Sequence, residues 1–177
     1  MNSRIRILSL NIGLKSDLAG LLTLISVHRL DVIMLQEVRM TDEQINQQLG
    51  THGFTGMVNV DAEDPLKPGT ALAWRSTLPI KQVSTVVPCR VQHARLGSYS
   101  ILNIYAPSGS NKKVERSFFF AREVFQAFSI GSSQWILGGD FNCVLEQMDI
   151  ENGTGFNQKR CPQLSELLAT KNLLDIF

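Results

Sequence analysis

Four apolar segments of this 177-residue chain each end in polar side chains of the kinds that bind metal ions or act on phosphate esters. The segments and the polar residues that follow them are 5–10 with Asn11, 32–35 with Gln36 and Glu37, 101–104 with Tyr105, and 135–139 with Asp140 and Asn142. Strands covered on both faces of a sheet are near-continuous apolar runs, and ligands bind beyond the carboxyl ends of such strands. We therefore predict one active site assembled from four distant segments.

Glu37 is the strongest candidate for a metal ligand. It comes after four consecutive apolar residues and Gln36, so its backbone is predicted to belong to a rigid strand. A hard cation such as Mg²⁺ binds one or two protein carboxylates and fills its other positions with water and substrate phosphate. An acid that caps a helix is an equally good interpretation of Glu37 alone, because Thr41 and Asp42 can begin a helix nearby.

Asp140 and Asn142 form a carboxylate and amide pair directly after Gly138 and Gly139. A carboxylate can orient and deprotonate an attacking water, and an amide can donate a hydrogen bond to a phosphate oxygen. The alternative is an ordinary turn in which both side chains bond to local backbone. The glycine pair and the apolar strand before it favour the catalytic interpretation.

Tyr105 and Asn11 are more ambiguous. The Tyr105 hydroxyl could reach a phosphate, although a half-buried tyrosine whose hydroxyl is satisfied within the protein is commoner. Asn11 is either a turn residue before Gly13 or a polar anchor for the metal or for Asp140.

The order of predicted elements is strand-helix-strand-helix, followed by an antiparallel stretch and a mainly helical remainder. Predicted strands cover 4–11, 31–36, 54–59, 70–75, 80–87, 90–96, 99–105 and 134–139, with a further strand beginning at 173–177. Predicted helices begin at Ser16 or Asp17, at Thr41 or Asp42, at about 112 and at about 162, and a polar loop covers 143–159. In the 112–128 helix, an apolar face is predicted to pack in the core; it consists of Val114, Phe118, Ala121, Phe125 and Phe128.

Composition excludes several classes of function. The net charge is +1, so no global basic field indicates nucleic acid and a phosphate site must depend on local geometry or a metal ion. Three widely spaced cysteines, Cys89, Cys143 and Cys161, are typical of free thiols in a reducing compartment. The histidines, His28, His52 and His93, lie at none of the four strand ends and are not predicted to be catalytic. No P-loop, GxSxG, GxGxxG, HExxH or EF-hand pattern occurs, and no apolar run is long enough for a membrane span, so we predict an intracellular protein without a membrane partner.

The polar strand ends, in this order and spacing, resemble the endonuclease/exonuclease/phosphatase family, and most of all the apurinic-site-like endonuclease domains of non-LTR retrotransposons. The motifs that carry the resemblance are Ser9-Leu10-Asn11, Leu35-Gln36-Glu37, Asn103-Ile104-Tyr105-Ala106-Pro107 and Gly139-Asp140-Phe141-Asn142, and Asp31-Val32-Ile33 and 69–74 also fit. The resemblance implies an α/β (α+β) fold, a four-layer sandwich of two mixed β-sheets face to face with helices outside. It further implies one domain over 1–177 that is incomplete at the C-terminus, with its last strands missing.

The resemblance also implies roles. Glu37, with Asn11, would bind Mg²⁺ or Mn²⁺, Asp140 would activate water, and Asn142 and Tyr105 would contact the scissile phosphate of DNA. Further positions are implied more generally: Asp149 for an additional family acid, and Arg39, Ser108 and Asn111 for loops that meet DNA. A reverse transcriptase region in a longer parent polyprotein and a nuclear location would accompany this function.

Three functions remain open. The first is a metal-dependent DNA endonuclease of the retrotransposon type, impaired because the family's closing Ser-Asp-His segment is not among these residues; a positioned acid-base group contributes about 10²–10⁴-fold. The second is a catalytically inactive remnant that binds nucleic acid or protein. The third is a phosphoesterase of the same superfamily acting on inositol phosphates, sphingomyelin or poly(A).

Overall fold

The computed structural model describes residues 4–64, 66–130, 134–150 and 155–176. Contacts divide the chain into two compact units. The first contains the described residues of Met1–Tyr105 and Ser133–Asp140, and the second contains those of Ala106–Ser132 and Phe141–Phe177. That residues 1–177 form a single domain stays a prediction.

The first sheet of the first unit is built from the strand-helix-strand-helix start of the chain and two later strands. Its strands are β1 (Ile7–Asn11), β2 (Val32–Val38), β3 (Phe54–Asn59) and β4 (Gly69–Arg75). They lie in the order β1-β2-β4-β3, with β1 parallel to β2 and the other pairs antiparallel. Helices α1 (Ala19–His28) and α2 (Asp42–Gly50) pack their buried leucines and isoleucines against this sheet.

Side-chain capping sets the start of α2 but not that of α1, whose N-cap residue is Leu18. Thr41 caps α2 as predicted, because its side chain accepts the Gln44 backbone N–H while the Gln44 side chain accepts the Thr41 N–H. Helix α1 begins later than predicted, at Ala19. Asp17 accepts the Ala19 N–H at 2.8 Å from a position just outside the helix.

The second sheet of the first unit contains the remaining strands. These are β5 (Ile80–Val87), β6 (Val91–Leu96), β7 (Tyr99–Tyr105) and β8 (Gln134–Asp140), in the order β5-β6-β7-β8. The pairs β5-β6 and β6-β7 are antiparallel, whereas β7 and β8 are parallel. In each of the two parallel pairs, β1-β2 and β7-β8, the carboxyl ends of both strands lie side by side and carry polar residues.

The two sheets pack face to face. Their shared core combines Val32, Met34 and Leu72 of the first sheet with Ala94, Leu96 and Ile101 of the second. The predicted fold class, α+β with two mixed β-sheets face to face and helices, is confirmed. Among the described residues, no helix is long and apolar enough to cross a membrane.

The second unit is helical where it is described. Its helices are α3 (Lys113–Phe118), α4 (Phe125–Ala127), α5 (Phe156–Lys159) and α6 (Pro162–Thr170), and a π-helical stretch, Phe119–Val124, joins α3 to α4. Short 3₁₀ turns occupy Ser110–Lys112, Phe128–Ile130 and Gln147–Asp149. Residues 151–154 of the predicted 143–159 loop lie outside the described residues.

The predicted apolar face of the 112–128 helix was wrong. Val114 is 81% exposed and Phe118 is 54% exposed, whereas the buried side chains are Phe119, Phe120, Val124 and Ala127. The buried positions keep helical spacing but lie on the neighbouring face, Arg116, Phe119, Phe120, Val124 and Ala127, so the prediction chose the wrong one of two faces. The exposed rings are covered by cations instead: Arg122 lies 4.5 Å from the centre of the Phe118 ring and Lys171 lies 4.0 Å from that of Phe125.

The predicted strand at 173–177 was also wrong for the residues described. Residues 173–176 have no strand hydrogen bonding, and the Leu173 N–H instead donates to the Leu168 carbonyl at 2.9 Å, which continues the end of α6. Leu174 and Ile176 are consequently exposed.

Candidate active site

Glu37 occupies a bulge near the end of β2. The antiparallel register of β2 with β4 pairs Gln36 with Thr70 and Val38 with Gly69, so Glu37 is the extra residue. Its φ angle is +57°, a left-handed conformation that non-glycine residues rarely adopt. A bulge re-aims the side chain that it carries, and strained backbone of this kind clusters at functional sites.

Asn11 joins the end of β1 to the end of β8. Its Nδ2 donates to Asp140 Oδ2 at 2.8 Å, across 129 residues of sequence. Its Oδ1 also accepts the Gly13 N–H at 2.9 Å. Both interpretations of Asn11 from sequence therefore hold, because the same amide forms a local turn and anchors Asp140.

The glycine pair before Asp140 is required by close packing. Gly139 has a φ angle of +148°, and a Cβ atom there would collide with the backbone of Ile104 on the neighbouring strand β7. A Cβ atom on Gly138 would collide with the flexible end of the Met34 side chain, on the facing sheet. The pair lets β8 pass close to its neighbours and fixes where Asp140 emerges.

Tyr105 contacts the predicted metal ligand. Its hydroxyl donates to Glu37 Oε1 at 3.3 Å, and only 4% of the residue is exposed. The Arg90 guanidinium lies 4.7 Å from the centre of the Tyr105 ring, and Arg90 Nη1 donates to the Tyr105 carbonyl at 3.4 Å. The hydroxyl is thereby held in one position beside the carboxylate.

These contacts close into a circuit at one end of the two sheets. Asn11 is paired in register with Gln36, next to Glu37, and Tyr105 is paired in register with Asp140. The hydrogen bonds from Asn11 to Asp140 and from Tyr105 to Glu37 cross between the two sheets. One amide, one phenol and two carboxylates therefore meet where the sequence predicted a single site.

A buried amide pair lies one layer beneath this circuit. Gln36 Nε2 donates to Asn103 Oδ1 at 2.8 Å, and Asn103 Nδ2 donates to the carbonyls of Leu35 and Ala71 at 3.1 and 2.9 Å. Sequence reasoning gave Asn103 no role. A single amide within the apolar run 101–104 was the available signal, because a buried amide must find hydrogen-bond partners.

The other predicted site residues are more dispersed. Arg39 is exposed just after β2, and Ser108 and Asn111 are exposed in the second unit. Asn142, also in the second unit, has a φ angle of +50°, and its Nδ2 donates to the Ala106 carbonyl at 2.9 Å. Asp149 accepts the backbone N–H groups of Leu145 and Glu146, which is a local capping role. The functional roles inferred for these residues stay predictions.

The chemistry of the site fits a hard divalent cation. Mg²⁺ needs only one or two protein carboxylates with neutral oxygen ligands beside them. Glu37 and the Asn11 carboxamide supply such oxygens on neighbouring strands, and Asp140 bonds directly to Asn11. Within the described ranges, no group of three or more His, Cys, Asp or Glu residues is placed to hold a metal.

The chain belongs to the endonuclease/exonuclease/phosphatase family, whose sequence profile matches residues 8–158. This match includes β2 to β8, all of β1 except Ile7, and the four residues of the circuit. Members of the family hydrolyse phosphoester bonds, and they generally use divalent metal ions. No curated protein sequence matches the chain significantly.

Several solved structures share the fold. An AP endonuclease from Archaeoglobus fulgidus is 14% identical, with a TM-score of 0.70 over 93% of this chain and 71% of that one. The 3'-5' exonuclease NExo from Neisseria meningitidis is 17% identical, with a TM-score of 0.72 over 92% and 70%. A humanized D. rerio TDP2 is 17% identical, with a TM-score of 0.60 over 85% and 67%. At such identities the likeness establishes the fold alone.

Proposed function

We propose that this protein is a metal-dependent phosphodiesterase that cleaves DNA, of the kind found in the endonuclease domains of non-LTR retrotransposons. The observation that carries the proposal is the circuit of Asn11, Glu37, Tyr105 and Asp140, because its two carboxylates come from different sheets and meet through hydrogen-bonded neutral partners. A structural salt bridge or helix cap would not bring four strand ends together in this way.

Asp140 is the base in the proposed reaction. Its carboxylate accepts a proton from a water molecule that attacks the phosphorus atom, and the Asn11 amide holds that carboxylate in one orientation. The Tyr105 hydroxyl, which donates to Glu37 in the free protein, turns its single proton to a non-bridging oxygen of the scissile phosphate when substrate binds. A contact of the Asn142 amide with the phosphate stays a prediction of the family resemblance.

Glu37 and Asn11 would hold the metal ion, Mg²⁺ or Mn²⁺. When bound, such an ion supplies positive charge that stabilises the charge developing on the phosphate oxygens. Tyr105 contributes by orienting the Glu37 carboxylate through its hydroxyl group. The buried amides Gln36 and Asn103 keep the two sheets, and so the two carboxylates, in register.

DNA is the proposed substrate, with Arg39, Ser108 and Asn111 as candidate contacts to its backbone. Their exposure supports this assignment, since phosphate contacts come from accessible polar and basic side chains. A reverse transcriptase region in a parent polyprotein and action in the nucleus belong to the same proposal.

A plasmid-nicking assay tests the proposal. The protein is incubated with supercoiled DNA in Mg²⁺ or in EDTA, beside Asp140→Asn and a control, Asp61→Asn, whose surface carboxylate pairs only with Lys67 among the ion pairs of the described residues. We expect metal-dependent nicking that Asp140→Asn lowers by about 10²–10⁴-fold, with Asp61→Asn unchanged. Equal nicking by the protein and Asp140→Asn would reject the proposal. Turnover of a small phosphoester but not of plasmid would instead indicate a phosphoesterase, and binding without turnover an inactive remnant.

A further inference from the structure

A pair of thiols in the second unit has no role in the proposed reaction. Cys143 follows Asn142 on the segment after β8, and Cys161 immediately precedes α6. The two segments are held side by side by a parallel bridge between Val144 and Arg160, and by a hydrogen bond of 3.2 Å from the Val144 N–H to the Lys159 carbonyl. Both cysteines are free thiols.

The Cys143 side chain forms a hydrogen bond with Cys161. The parallel bridge between Val144 and Arg160 holds the two segments side by side, with Cys143 directly before it on one segment and Cys161 directly after it on the other. Two thiols that are 18 positions apart in the sequence are thereby brought close together.

The surroundings divide the two thiols into an accessible one and a sheltered one. Cys143 is half-buried, whereas Cys161 is 1% exposed. The hydrogen bond from Cys143, opposed in part by burial, lowers the pKa of Cys161 to about 6, and the backbone N–H groups of Leu164 and Gln163 and the Ser117 hydroxyl also favour the thiolate. A thiolate is the form of cysteine that attacks disulfides.

We propose that Cys143 and Cys161 are a redox-active dithiol, which a low-molecular-weight disulfide converts into an intramolecular disulfide. Cys143, the accessible sulfur, attacks one sulfur of the oxidant RS–SR; the S–S bond breaks and one RS⁻ leaves. The sheltered Cys161 thiolate then attacks the Cys143 sulfur, and the second RS⁻ leaves as the Cys143–Cys161 bond forms. The protein loses two electrons and two protons, and the oxidant becomes two thiols.

Cys89 is a built-in control for this proposal. It is fully buried in the first unit, and burial raises the pKa of its thiol. If the three cysteines were oxidised at random, disulfides would form in all three possible pairs. A disulfide that forms only between Cys143 and Cys161 can therefore be distinguished from random oxidation.

The test uses the whole 177-residue chain, oxidised glutathione as the probe, and no measurement of nuclease activity. After oxidation, remaining thiols are alkylated and the protein is digested with trypsin without reduction. We expect peptide 123–159 to be linked to peptide 161–171, and peptide 82–90 to carry alkylated Cys89. Cys161→Ser should stop at glutathione attached to Cys143, and Cys143→Ser should give little product, with both variants checked for folding by circular dichroism.

Three results would overturn the proposal. The first is that Cys143 of the folded wild-type protein is alkylated and not linked. The second is that linked peptides form only after denaturant is added. The third is that Cys89 takes part in about two of every three links, which is the share expected if the three cysteines pair at random. A linked product that runs as a covalent dimer without reducing agent would also count against it, because the structure places both sulfurs within one chain.

Discussion

At the scale of single residues, Glu37 shows the strongest conflict between local backbone preference and function. Its left-handed φ angle of +57° costs about 1–2 kcal/mol for a residue with a Cβ atom. Strain of this kind persists when the surrounding structure imposes it and the side chain is needed where the strain places it.

Glu37→Gly separates these two effects. Glycine removes the strain, so we expect the free energy of unfolding in urea to stay level or rise by up to about 1 kcal/mol, while metal-dependent nicking is lost. Arg29→Gly is the matched control, because Arg29 ends α1 with a φ angle of +50°. It should show a similar change in stability with full activity. A large loss of stability in Glu37→Gly alone would mean that the carboxylate is structural.

The buried side chain of His93 should make the stability of the fold depend on pH. It is 1% exposed and hydrogen-bonded at 3.0 Å to Ser100, and burial, with a smaller contribution from the charge of Arg95, lowers its pKa below the ordinary 6.5. The unfolded chain therefore binds a proton more readily, so this histidine destabilises the fold as the pH falls below about 6.5, by up to about 1.4 kcal/mol per pH unit. Above that pH the effect disappears.

Urea unfolding of the protein and of His93→Gln between pH 5 and pH 8 measures this contribution. The difference in unfolding free energy between the two should be constant above about pH 6.5 and should shift in favour of the variant below it. Parallel curves over the whole range would show that the histidine titrates equally in the folded and unfolded states.

At the scale of elements, the carboxyl end of β8 is set by its two glycines. Gly139→Ala places a Cβ atom against the Ile104 backbone, which cannot move without disturbing β7, and we expect a loss of about 2 kcal/mol or more and little activity. Gly138→Ala meets only the end of the Met34 side chain and should cost about 1 kcal/mol. Equal losses in the two variants, measured by urea unfolding, would contradict this account of the strand.

The amide pair beneath the site joins one sheet to the other. Gln36→Leu leaves the buried Asn103 Oδ1 without the 2.8 Å hydrogen bond from Gln36, which should cost about 1–3 kcal/mol and lower the nicking rate, because Glu37 is the next residue. Gln47→Leu, on the exposed side of α2, should change stability by less than about 0.5 kcal/mol. Unchanged stability in Gln36→Leu would show that the pair is dispensable.

Elements with one strong local signal were predictable from the sequence. The apolar run before Asp140 predicted β8, and Thr41 with Gln44 fixed the start of α2. The helical stretch after Ser110 had two apolar faces, one with Phe118 and one with Phe120, and only tertiary packing selects the second. The bulge at Glu37 depends on the register with Gly69, which no local pattern encodes.

At the scale of the whole molecule, convergence of distant strand ends was predictable because the sheets are parallel at β1-β2 and β7-β8. The carboxyl ends of parallel neighbours lie at one edge of a sheet. Asn11 therefore lies beside Gln36, and Asp140 lies beside Tyr105. Which atoms meet was not predictable: the bonds from Asn11 to Asp140 and from Tyr105 to Glu37 depend on how the two sheets stack. The net charge of +1 likewise gave no indication of the substrate.

The most direct test of the central claim compares Glu37→Gln, Asp140→Asn and the double variant in Mg²⁺-dependent plasmid nicking. If both carboxylates act on one phosphate, each single change should lower the rate by about 10²–10⁴-fold, and the double variant should be about as slow as the slower single one, because groups that act as a unit are not additive. Single variants as active as the unaltered protein, or losses that multiply in the double variant, would contradict a single shared centre.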